Sequence, residues 1–216
     1  MLRTLVVCGA LVVLFAVSAA AQTGSERIPL VAADLRVPVA RFKADPAVAT
    51  NVGVAADDLP TRGLGFVAGA HIYPVRTRRI TFGLGVEMLR TRARRTKEPT
   101  TEAGQAGPTV ETRLSAFSPQ LSFNFGHRDG WSYISGGLGS ATLATEVPLT
   151  TGVVEAGSSA RKTINYGGGA RWFVTQHVAV SLDLHFYAVS PLVGTTETPG
   201  YPRMTVMVFS GGIAFR

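Results

Sequence analysis

Every second residue is apolar or glycine through five stretches of this chain, and that alternation leaves few folds open. Residues 31–39 give Val31, Ala33, Leu35, Val37 and Val39, and 64–72 give Leu64, Phe66, Ala68, Ala70 and Ile72. Residues 80–88 give Ile80, Phe82, Leu84, Val86 and Met88, and 178–186 give Val178, Val180, Leu182, Leu184 and Phe186. Residues 207–215 give Met207, Phe209, Gly211, Ile213 and Phe215, so none of these 25 positions carries a polar side chain. The opposite parity holds Asp34, Arg36, His71, Glu87, Ser181, Asp183, His185 and Ser210, with many glycines between them. A period of two with one wholly apolar face means strands, because a helix would repeat at 3.6.

Which face points inward follows from what the other face is made of. A soluble barrel keeps its apolar face inside and covers the outside with Lys, Glu and Thr. Here charged residues are only 16% of the chain, against about 25% in ordinary soluble domains. The polar parity is mostly Gly, Ser and isolated charges, which suits the crowded interior of a narrow barrel better than a solvent-facing surface. The pattern therefore predicts apolar residues outside and polar residues inside, in segments of about ten residues. After residue 22 no apolar run approaches the ~20 residues of a spanning helix. If the chain enters a membrane, it does so as a closed barrel, which satisfies every backbone group within the sheet.

The first segment reads as an export signal. Met1-Leu2-Arg3 is a short basic start, Leu5 to Val17 an apolar stretch, and Ala19-Ala20-Ala21 a small-residue cleavage site before Gln22. This divides the chain into a cleaved signal peptide, 1–21, and a barrel, 22–216. Cys8, the only cysteine, falls in the part to be removed, so neither disulfides nor thiolate metal sites are expected. No cofactor and no metal are expected.

Residues 113–125, 131–143 and 163–173 add three strands, for a count of eight. The facing of 131–143 (WSYISGGLGSATL) is open in the sequence, where a bulge near Tyr133 would switch parity. Connections alternate between short (75–79, 126–130, 174–177) and long (41–61, 93–112, 144–162, 190–203). Short periplasmic turns and long, mobile external loops would put both termini in the periplasm. Tyr73, Trp131, Trp172 and Phe215 fall near the short-turn end, where an interfacial aromatic girdle would sit.

The leader, the eight segments, the hairpin NYGGGARWFVTQHVAVSLDLHFY (165–187) and the aromatic final strand resemble the small OmpA/OmpX-type outer-membrane barrels. One departure is Arg216, which follows the aromatic on which such barrels usually end. The resemblance implies an all-β fold, an eight-stranded antiparallel up-and-down transmembrane β-barrel, in a bacterial outer membrane. It also implies outer-membrane lipid and the barrel-insertion machinery as partners, a monomer, and a non-enzymatic structural or surface-interaction role.

Two sets of side chains stand out. An eight-stranded barrel is just wide enough for side chains to fill. Inner-face glycines leave room for Asp34, Arg36, Glu87, Arg171 and Asp183, which are expected to form a lumenal ion-pair network, since buried charges are normally paired. Arg41, Lys43, Arg90, Arg92, Arg94, Arg95, Arg161 and Lys162 cluster at external strand ends. They are read as a collar at headgroup level, suited to lipopolysaccharide phosphates, or as ordinary interfacial snorkelling. Asp183 and His185 share a face but lack a recognisable nucleophilic serine, and read as lumen fillers. GSSARKT (157–163) lacks the glycine before its lysine and is not a phosphate loop. RTRARRTK has no interleaved aromatics, so nucleic acid is not expected as a partner. The competing functions are a narrow small-solute channel, a membrane-embedded lipid or peptide hydrolase, and a secreted soluble lipocalin-like barrel.

Overall fold

A computed structural model describes residues 27–77, 80–97, 107–149, 152–195 and 199–216. The signal peptide, 1–21, lies outside the described residues. Nine strands are seen among them: β1 (Val31–Arg41), β2 (Arg62–Arg76), β3 (Thr81–Thr96), β4 (Thr109–His127), β5 (Gly130–Leu149), β6 (Gly152–Ala156), β7 (Arg161–Phe173), β8 (Val178–Val189) and β9 (Met204–Phe215). All pairings are antiparallel, and β1 bonds to both β2 and β9. With β4 on β5 and β5 on β7, eight strands close into a barrel, and β6 lies outside it as a hairpin on the outer end of β5. Closure leaves no free edge, which an open sheet would have to protect.

The alternation decides the packing as the sequence predicts. On β1 the exposures run strictly out and in: Leu35 is 52% exposed and Val37 63%, while Asp34 and Arg36 are 5% and 2%. Leu64, Leu84, Leu121, Ile164 and Phe209 are likewise exposed on their strands. Between residues 131 and 143 odd positions such as Tyr133 and Ser135 point in, and Ile134 and Leu138 point out. The register of β5 against β4 and β7 is unbroken there, so no bulge switches its parity. The single register shift in the barrel lies between Ile72 and Val75, in the β2–β3 pair. Pro74 sits in it, with no N–H to give to the ladder.

The interior is built in three layers. At the short-turn end Ile28, Ala32, Tyr73, Trp131 and Tyr133 form an aromatic floor. Tyr73 and Trp131 are therefore inside the barrel, 0% and 2% exposed, not in an outer girdle as the sequence suggested. Parity explains it: both are odd residues on strands whose odd positions face in. Charged and polar groups fill the middle. Towards the outer end the inner face turns apolar, with Val67, Leu89, Leu114, Leu143, Val189 and Val206 packed together.

The outer connections add to that apolar layer. Helix α1 (Pro46–Val52) starts at Asp45, whose side chain accepts from the Ala47 N–H at 3.0 Å, and has proline in its first turn. It ends at Gly53, whose φ of 74° is the left-handed conformation that glycine adopts without cost. Val48, Ala49 and Val52 are buried against the top of the core, with Val147 and Ala156 of the β5–β6 hairpin. Asn51 Nδ2 donates to the Gly200 carbonyl at 2.7 Å, tying the helix to the last long connection. Segment 41–61 is thus a folded lid in place of an open loop, and β3 and β4 extend into both ends of segment 93–112.

Candidate functional site

The middle layer gathers residues from six strands. Arg36 on β1 is the hub: its Nε lies 2.7 Å from Asp34 Oδ1, its Nη1 3.2 Å from Asp183 Oδ2, and its Nη2 bonds Glu87 Oε2. Arg171 on β7 reaches Asp34 Oδ2 at 2.6 Å and donates to the Tyr73 hydroxyl at 2.9 Å. Its guanidinium lies 4.8 Å over the Tyr133 ring, a favourable stacking of cation on ring face. The five residues singled out from the sequence are thus in one cluster, all with exposures of 5% or less.

Neutral groups complete it. Glu87 accepts from Asn165 Nδ2 at 3.0 Å and from the Tyr187 hydroxyl. His71 Nε2 stands 3.2 Å from Asp34, and His185 Nδ1 lies 2.9 Å from Asn165 Oδ1. Each carboxylate so held offsets the desolvation that burial would otherwise cost, and losing one partner would leave an isolated charge. Sequence reasoning placed His71, Asn165, His185 and Tyr187 on the inner face and Tyr73 in an interfacial girdle, but gave no sign that Asn165, Tyr73 and Tyr187 would serve the charges. Glycines make the room: a Cβ on Gly69 would come within 2.8 Å of Asp34 Oδ1, and one on Gly169 within 2.3 Å of Asp183 Oδ1.

One contact looks catalytic on paper. Ser135 Oγ is 3.5 Å from His185 Nε2, with Asn165 behind the ring, a serine–histidine–amide order that the linear sequence hid. Both residues are buried in the charged layer, 8% and 3% exposed, between the aromatic floor and the apolar top. No group that could take a metal was found among the described residues, meaning no cluster of three or more His, Cys, Asp or Glu.

The outer rim is not an even collar. Arg41, Arg90, Arg92 and Arg94 point outward from β1 and β3, with Arg62 on β2 and Arg113 on β4 beside them. Lys162 is exposed on β7, and Lys43 is 3.8 Å from Asp45 at the start of the lid. Arg161, grouped with the collar in the sequence, turns inward: it is 7% exposed, donates to the Leu143 and Gly157 carbonyls, and lies 4.9 Å over the Tyr201 ring. Its odd position on β7 dictates this. Glu111, which no sequence signal marked, sits among Arg92, Arg94 and Arg113, its carboxylate taking a bond from each. Burial would raise its pKa, but the bonds from Arg92, Arg94 and Arg113 outweigh that and hold it at about 2.

The barrel is closed, its outward residues are apolar and its inner layer is charged. The chain has the fold of the small eight-stranded outer-membrane β-barrels. Solved structures that resemble this barrel include Ail, the attachment invasion locus protein of Yersinia pestis, in complex with the heparin analogue sucrose octasulfate, at 12% identity over 87% of this chain and 99% of that one, with a TM-score of 0.52. The outer membrane protein OprG from Pseudomonas aeruginosa matches at 8% identity over 88% and 97%, TM-score 0.46. The outer membrane enzyme PagL matches at 13% identity over 85% and 99%, TM-score 0.41. At such identities the likeness to outer-membrane barrels is one of fold alone. No protein-family model and no curated protein matches the sequence.

Proposed function

We propose that this chain is an integral protein of a bacterial outer membrane, monomeric and non-catalytic, with a structural or surface-contacting role and a sealed lumen. The observation that carries the reading is the inverted polarity of the wall. Leu35, Val37, Leu64 and Leu121 are more than half exposed, while Asp34, Arg36, Glu87 and Arg171 lie beneath them at 5% exposure or less. Water outside such a wall would meet a continuous apolar surface far larger than soluble monomers expose, and lipid would not. The aromatic floor, the ion pairs and the apolar top stack along the axis, which speaks against conduction. The insertion machinery is the partner such a barrel needs to reach its membrane, and Phe215 on β9 supplies the aromatic end.

The test is fractionation and labelling. The folded protein should co-sediment with outer membranes and migrate differently on gels before and after boiling. Single cysteines at Leu84, Leu182 and Ile213 should resist water-soluble maleimide in vesicles. Free labelling at all of them, or solubility without detergent, would end this reading in favour of a soluble barrel. Discrete conductance steps in planar bilayers would favour a channel instead.

A hydrolase is the second reading, and the Ser135–His185 contact is its only specific support. It requires a substrate to enter a layer enclosed above and below. Ser135→Ala should leave surface lipids and peptides chemically unchanged; a lost modification would favour the enzyme.

A further inference from the structure

We propose that the outer rim of β1–β4 is a one-sided docking surface for a membrane lipid that carries more than one phosphate. This rests on the membrane reading above. Register pairs Arg41 with Arg62 across β1–β2 and Arg92 with Arg113 across β3–β4, while Arg92 and Arg90 stand opposite Leu64 and Phe66 on β2. Among the described residues, the carboxylates paired with these arginines are Glu111 and, at 2.9 Å from Arg113, Glu146. Arg41, Arg62 and Arg90 have no carboxylate within ion-pair distance among the described residues. On the far wall, β7 offers only Lys162 at this level.

Three features separate this face from ordinary snorkelling. Snorkelling cations ring a barrel, whereas these occupy adjacent strands. All six are arginine, whose planar fork binds phosphate oxygens bidentately, while lysine serves only as a point charge. Glu111 holds Arg92, Arg94 and Arg113 in place, yet their side chains remain about half exposed, at 48%, 58% and 48%. A carboxylate that fixes guanidiniums without covering them lowers the ordering cost of binding.

The source of the phosphates is argued from what lies below them. Val39, Leu64, Phe66, Met88 and Phe117 are exposed on the same strand faces, two to four residues along their strands towards the membrane from the arginines. A lipid can lay its acyl chains on this apolar wall and bring its headgroup phosphates to the guanidiniums together. A free polyanion would gain only the charges.

The experiment is native mass spectrometry of the full folded protein in detergent, titrated with bis-phosphorylated lipid A. Retention should be several times that of the dephosphorylated lipid. It should fall roughly tenfold in Arg62→Gln/Arg90→Gln, as expected for losing at least one charge-assisted contact. Glu111→Gln should weaken it less, and Lys162→Gln should leave it unchanged. Gel heat-shift of each variant reports folding separately. Equal retention of both lipids, equal loss in Lys162→Gln, or full displacement by inorganic pyrophosphate would each overturn the proposal. A protein that proves soluble without detergent would instead overturn the membrane reading beneath it.

Discussion

Arg171 Nη2 and Asp34 Oδ2 are 137 positions apart in the chain and 2.6 Å apart in the barrel. The pair exists only because β9 closes on β1 and brings the last strands round to the first. It joins the aromatic floor to the Arg36 hub, since Asp34 bonds both arginines and Arg171 also bonds Tyr73.

Arg171→Met should therefore destabilise the folded barrel by about 3 kcal/mol, the lower end of the cost of breaking a buried ion pair, because Asp34 keeps its bond from Arg36. Urea unfolding from lipid vesicles measures it. Adding Asp34→Asn should recover part of the loss, because Arg36 would otherwise be left to balance three carboxylates. An unchanged midpoint in Arg171→Met would remove the residue from any stabilising role.

Inner glycines should tolerate no side chain where the polar layer is tightest. Gly169→Ala puts a Cβ 2.3 Å from Asp183 Oδ1 and 2.5 Å from the Leu182 carbonyl. Overpacking of this kind costs about 1–3 kcal/mol. At Gly136 the nearest atom would be the Asn165 carbonyl at 3.7 Å, so Gly136→Ala should be near neutral in the same assay.

Charge on the outer wall should hurt according to depth. Leu84→Arg, in the middle of the exposed apolar positions of β3, should cost about 2–4 kcal/mol. Val153, 63% exposed on β6 beyond the barrel, should accept arginine with little change. Comparable effects at both positions would mean that no lipid surrounds β3.

The Glu111 cluster sets a pH dependence at the outer rim. Its carboxyl is held at about 2 against an ordinary 4.5, once the arginine bonds overcome the effect of burial. A lowered value means that the unfolded carboxyl takes up its proton first. The stabilisation is thus complete above about pH 5 and is lost as pH falls from there through 2. Hydrogen exchange in the outer halves of β3 and β4 should accelerate over that window, and Glu111→Gln should flatten the response. An identical pH profile in the variant would show that other groups govern it.

Local alternation was enough to tell that the chain forms strands, which face of each is greasy, and that Asp34, Arg36, Glu87, Arg171 and Asp183 share the other. Turn length, also a local property, separated the short-turn end of the barrel from the long-loop end. Parity was legible for Tyr73 and Arg161 as well, but their proximity to strand ends and their residue type suggested interface positions, and the pleat overruled that; for Trp131 the facing stayed open until the strands paired. The lid on the barrel was hidden for a different reason. Val48, Val52, Leu59 and Leu143 are scattered residues in segments with no sustained period, and only three-dimensional closure makes them one layer. Which charge meets which, and that Glu111 gathers three arginines while Arg41, Arg62 and Arg90 meet no carboxylate among the described residues, depends on register between strands. Register is a matter of hydrogen bonding between distant segments, so it enters only when the sheet has closed.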